Sequence, residues 1–104
     1  MALTRNFKDT VKARALRDPK FRRALLEESI EAMLSGDLDT GKAMLRDYIN
    51  ATIGFERLAA RTDKSPKSLM RMLSPGGNPR ADNIFAVIKT LQRREGVEFR
   101  IETI

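Results

Sequence analysis

Between Phe55 and Leu73 the sequence allows two short helices with only a few residues of turn between them. The first half, Phe55 to Thr62, places Leu58 and Ala59 on one face. Asp63-Lys64 makes a tight turn, Ser65 is an N-cap residue, and Pro66 suits the first helical position, where its missing N–H had no intrahelical partner. The second half then carries Leu69, Met72 and Leu73 at the spacing of one helical face. Neither helix is long enough to stand alone in water, so the pair must lock across Ala59, Leu58, Leu69 and Met72. That requirement constrains the fold more than any other feature. The turn also needs a residue that tolerates positive φ. The chain offers Asp63, one of the few non-glycine residues that visit that region readily.

The flanking segments read as further helices. Asp18-Pro19 opens one whose stripe is Phe21, Ala24, Leu25, Ser29, Ala32 and Met33, with Gly36 as its left-handed end. Ahead of it, Thr10 to Leu16 is expected as a short amphipathic helix on Val11, Ala15 and Leu16. Asp39 or Thr40 caps the next, lined by Met44, Leu45, Tyr48, Ile49 and Thr52 and stopped at Gly54. Ser74-Pro75-Gly76-Gly77-Asn78-Pro79 is a loop. From Ala81 or Asp82 to about Arg94, Ile84, Phe85, Ile88 and Leu91 mark another helix, ended by Gly96. Val97, Phe99 and Ile101 then alternate with Glu98, Arg100 and Glu102, the period of a half-buried strand. The expectation is one all-α domain over 1–104 with five or six helices. It divides into an N-terminal helical extension (1–36), a core (37–94) and a short C-terminal β-strand (95–104).

Composition narrows the function. With no cysteine there is no disulfide, thiolate nucleophile or zinc–thiolate site. With no histidine there is no imidazole for acid–base work or metal binding. No GxSxG, SxxK or P-loop pattern offers another chemistry, so the reading is non-enzymatic, without cofactor or metal. No apolar stretch is long enough to span a membrane, and the opening Met1-Ala2-Leu3-Thr4-Arg5 lacks a secretory apolar region, so a cytoplasmic protein is expected. The net charge of +6 is unevenly spread. Residues 1–23 hold eight basic and two acidic side chains, 24–54 two and six, 55–80 six and two, and 81–104 four and four. Two basic stretches separated by an acidic one suggest a polyanionic partner.

The second short helix is the candidate reader of double-stranded DNA. Inward-facing Leu69, Met72 and Leu73 leave Pro66, Lys67, Met70, Arg71 and Ser74 outside. Lys67 and Arg71, four apart, share a face and can reach guanine O6/N7 or phosphate. Lys64, Ser65 and Ser68, with the helix N-terminus, and Arg80 after the Asn78-Pro79 turn, are candidate phosphate contacts. Glu27, Glu28 and Glu31 form an acidic outer face on the Pro19–Ser35 helix, available to a basic protein partner or simply solvated.

Leu58-Ala59, Ser65, Leu69, Leu73, Asn78-Pro79 and the Ile/Leu-rich helix after them resemble the lambda-repressor-like (Xre/Cro-type) helix-turn-helix superfamily over about residues 40–94. The stretches Leu45 to Phe55 and Ser65 to Leu73, with the opening Phe7-Lys8-Asp9 through Asp18-Pro19, resemble the addiction-module antidote family of HigA-like antitoxins. That resemblance implies a type II antitoxin that neutralises a small basic toxin of the RelE/ParE/HigB kind and represses its own operon. The alternatives are a stand-alone phage-type regulator and a helical interaction module without DNA binding. The terminal strand needs a neighbour. A two-fold mate would pair Val97, Phe99 and Ile101 across a homodimer and set two recognition helices on successive major grooves. Pairing with Leu3–Phe7 or with a toxin sheet are the other options.

Overall fold

The computed structural model describes residues 2–104, and their side chains from residue 9 onward. Its elements run α1 (Ala2–Arg17), α2 (Pro19–Leu34), α3 (Leu38–Ala51), α4 (Phe55–Thr62), α5 (Pro66–Met72) and α6 (Ala81–Glu95). Polar caps set the starts. The Asp18 carboxylate accepts the Phe21 N–H at 3.1 Å, Asp37 that of Thr40 at 3.2 Å, and Ser65 Oγ that of Ser68 at 3.1 Å. Proline follows the cap in α2 and α5. The cap of α3 is thus Asp37, ahead of the expected Asp39 or Thr40. Asp39 instead lies in the first turn, where its charge favours the helix N-terminus. The helix expected over Thr10 to Leu16 is the end of a longer one that begins at Ala2.

α3 is the central element. Leu45, Tyr48 and Ile49 are fully buried and meet Leu26 from α2, Leu58 from α4, Leu69 and Leu73 around α5, and Val87 and Leu91 from α6. Of the two helices expected as an extension, α2 contributes Leu26 to this core, and α1 buries Ala15. α2 and α3 approach closely at Gly41. A Cβ there would stand 2.5 Å from Met33 Cγ and 2.9 Å from the Ser29 carbonyl oxygen. Ser29 is buried, and its hydroxyl donates to the Leu26 carbonyl at 2.6 Å.

The inward face of α2 differs from the expected stripe. Leu26 and Ser29 are buried, with Leu25, Ile30 and Met33 alongside, while Ala24 is exposed. In α6, Val87, Ile88 and Leu91 turn inward and Phe85 does not, being 65% exposed.

The C-terminal strand is not present. Residues 97–104 have no regular secondary structure, and the described residues contain no strand. Gly96, at φ 71°, turns the chain out of α6, and the Val97 N–H donates back to the Gln92 carbonyl. Phe99 packs against the core, and its N–H donates to Gln92 Oε1 at 2.8 Å, while Ile101 is 82% exposed. One half of the alternating pattern is thus satisfied by the chain's own core, not by a neighbouring strand. The backbone of Leu3–Phe7 is helical, within α1, so it offers no strand edge for pairing within the chain. No helix among the described residues is long and apolar enough to cross a membrane.

Candidate nucleic-acid interface

Three residues, Asp63, Lys64 and Ser65, join α4 to α5. Asp63 takes the left-handed conformation expected of it, φ 56° and ψ 39°, and the Lys64 N–H closes α4 on the Ala59 carbonyl at 3.1 Å. Leu58 and Ala59 on α4 pack with Leu69 and Met72 on α5, and all four are buried. With the inner face so fixed, α5 presents Lys67, Ser68, Met70 and Arg71 to solvent, with Pro66 and Ser74 half-buried at its two ends. Lys67 and Arg71 belong to no ion pair among the described residues.

The other expected contacts are engaged within the chain. Lys64 Nζ donates to Asn83 Oδ1 at 2.7 Å, tying the turn to the first turn of α6. Arg80 lies 3.3 Å from the Asp82 carboxylate, an exposed pair worth little. The Ser68 N–H is taken by the Ser65 cap, and the Ser74 hydroxyl donates to the Arg71 carbonyl at 2.8 Å. Lys67 and Arg71, with the half-exposed Met70 between them and the exposed Ser68 side chain, therefore form the available part of the surface.

Two cations on α3, Lys42 and Arg46, hold that surface in place, and sequence reasoning passed over both. Lys42 is buried, and its ammonium donates to the carbonyls of Ser74 (3.0 Å) and Gly77 (2.7 Å), with Asp39 3.6 Å away. The Arg46 guanidinium donates to the Leu73 carbonyl. These bonds take the carbonyls that α5 and its following loop leave without a helical partner. The loop is also close-packed. A Cβ on Gly77 would lie 2.2 Å from the Arg71 carbonyl oxygen and 2.5 Å from that of Met72. The only available signal was spacing, because 42 and 46 are four apart on a helix whose partner loop lacks regular hydrogen bonds.

Glu95, the last residue of α6, was likewise not foreseen. It is buried and accepts from Arg22 Nε at 3.1 Å and from the Tyr48 hydroxyl at 2.5 Å, with Arg23 3.7 Å away. Burial pushes its carboxyl up, but the hydrogen bonds from Arg22 and Tyr48 and the charges of Arg22 and Arg23 outweigh that, so it is held below the ordinary value. Burial, and then the bond to Glu95, pushes the Tyr48 phenol up.

Of the three α2 carboxylates, Glu27 and Glu31 border a groove between α2, α6 and the C-terminal tail, and Glu28 is exposed without lining it. Of the residues expected in a dimer strand, Val97 and Phe99 are partly buried and only Ile101 stands free. Comparison with protein-family models, curated proteins and solved structures returns no match.

Proposed function

We propose that the chain is a sequence-specific DNA-binding regulator that reads an operator through the outer face of α5. We further propose that it serves as the antitoxin of a type II toxin–antitoxin pair, neutralising a basic toxin and repressing its own operon. The observation that carries the DNA reading is the exposed, unpaired couple Lys67 and Arg71 on a helix whose inner face is locked by Leu69 and Met72. In a helix-turn-helix geometry, α4 crosses the phosphate backbone and α5 lies in the major groove. Arg71 then reaches guanine O6/N7, Lys67 a base edge or phosphate, and Met70 a thymine methyl. The antitoxin half is supported by the resemblance of Leu45 to Phe55 and Ser65 to Leu73 to addiction-module antidotes, which also distinguishes it from a stand-alone phage-type regulator.

The test is an anisotropy titration on the DNA upstream of the gene, with and without the product of the neighbouring gene. Tight binding that the second protein strengthens or weakens supports the antitoxin reading. Tight binding indifferent to it points to a stand-alone regulator, and no binding in either case removes the DNA reading. Arg71→Ala is expected to lower operator affinity by about 1–3 kcal/mol and to relax preference at one base pair. Unchanged affinity in both Lys67→Ala and Arg71→Ala would refute α5 as the reading element.

A further inference from the structure

A groove runs between α2 and α6, in two adjoining lobes of about 270 and 510 Å³ that share Ile30, Leu34, Phe85 and Ile88 as lining. Leu34 and Phe85 protrude from its walls, 64% and 65% exposed, and Ile101 of the tail stands beside them. A small-molecule site encloses its ligand among buried liners. These large apolar side chains instead stand out into solvent, as the anchors of a protein-docking surface do. The lobe bordered by the tail also carries a charge signature. Glu27, Glu31 and Glu98 line it against one cation, Arg100, and none of the three carboxylates is in an ion pair among the described residues. In a chain of net charge +6, this is a local acidic rim around an apolar floor.

We propose that this groove docks an amphipathic segment of a different protein, apolar on one face and flanked by Lys or Arg. A second copy of the chain fits it less well. A two-fold contact across this lobe would gather two sets of Glu27, Glu31 and Glu98 against only two copies of Arg100, a net like-charge repulsion. The inference rests on the chemistry of the groove and extends the partner half of the function proposed above. It does not depend on α5 reading DNA.

Selection of random helical peptides, displayed on phage, against the immobilised full-length chain tests this. The enriched peptides are expected to carry apolar residues at helical spacing with basic flanks. Their affinity is expected to fall about tenfold or more for Phe85→Ser and for Leu34→Ser, two exposed positions where the change leaves the core intact. Charge reversal through Glu27→Lys with Glu31→Lys is expected to turn the selection toward acidic flanks. Three outcomes would overturn the proposal: no enrichment, enrichment indifferent to Phe85→Ser, or basic flanks that persist after the charge reversal. Sedimentation showing a dimer that Phe85→Ser dissociates would also overturn it, by giving the groove to a second copy. Operator titration of the Phe85→Ser chain separates the two readings. Retained DNA binding with lost peptide binding assigns the groove to the partner alone. Absence of DNA binding in the unaltered chain removes the α5 reading and leaves the peptide result standing.

Discussion

Glu95 carries a charge at the C-terminal end of α6, where the helix dipole disfavours an anion, and its side chain is almost wholly buried. It is stable there because Arg22 and Tyr48 meet its oxygens directly, and Arg22 is itself anchored to the Ala15 carbonyl at 2.8 Å. One carboxylate therefore joins α6 to α2 and α3, and through Arg22 to α1. Removing its charge leaves Arg22 half-desolvated without a counterion, so Glu95→Gln is expected to destabilise the fold by about 3 kcal/mol. The pH dependence follows from the lowered carboxyl pKa. Because the folded state holds this proton less tightly than the unfolded one, the stabilisation is full above the ordinary value of 4.5. It is lost as pH falls from there through the folded value. Urea midpoints measured from neutral pH into this range should decline more steeply for the unaltered chain than for Glu95→Gln. Parallel curves would show that Glu95 does not carry the effect. Nothing in the local sequence announces this residue. Glu95 follows two arginines and reads as the solvated end of a helix, and only the partners from other helices reveal its role.

At the scale of elements, the same division between local and distant causes recurs. Helix starts were legible at Asp18 and Ser65, where proline follows the cap, and misplaced at Asp37, which bonds its own backbone in the same way. The left-handed turn at Asp63 was legible because aspartate tolerates positive φ, and the inward face of α5 from its apolar spacing. The inward faces of α2 and α6 were only partly legible. Ala24 and Phe85 have apolar side chains and helical spacing, yet the crossing of α2 on α3 at Gly41 selects Leu26 and Ser29, and α6 settles on Val87 and Leu91. The tail shows the limit most clearly, since its alternation specifies a strand only if a partner edge exists. The candidate surface likewise depends on a distant element, because α3 holds the loop after α5. Lys42→Met preserves the length of the side chain but removes its donors. It leaves the Ser74 and Gly77 carbonyls without that partner, an expected loss of about 1–3 kcal/mol. Gly77→Ala must displace the end of α5 and is expected to weaken operator binding as well as stability. Thermal melting and hydrogen exchange across residues 73–80 check both. Unaltered exchange in Lys42→Met would mean that the loop is held by packing alone.

The whole molecule separates its charges by element. The acidic surplus lies on residues 24–54, mainly α2 and α3, and the basic surplus on 1–23, mainly α1, and on 55–80, which contains α4 and α5. Such a distribution draws the basic elements toward a polyanion before contact, the α4–α5 side among them. On that side Arg57, Arg61, Lys67 and Arg71 are exposed and in no ion pair among the described residues. If all four displace condensed counterions, each bound copy neutralises about four phosphates, and log K falls against log salt with a slope of about −4. Operator affinity per copy should then drop about a hundredfold between about 50 and about 200 mM salt. Lys67→Ala should make the slope shallower by about one if Lys67 meets a phosphate. A slope much steeper than −4 would bring in the basic helix α1 as a second contact with DNA. A slope near zero would mean that the basic surplus of α4 and α5 does not face DNA at all, and the proposed reading face would fall with it.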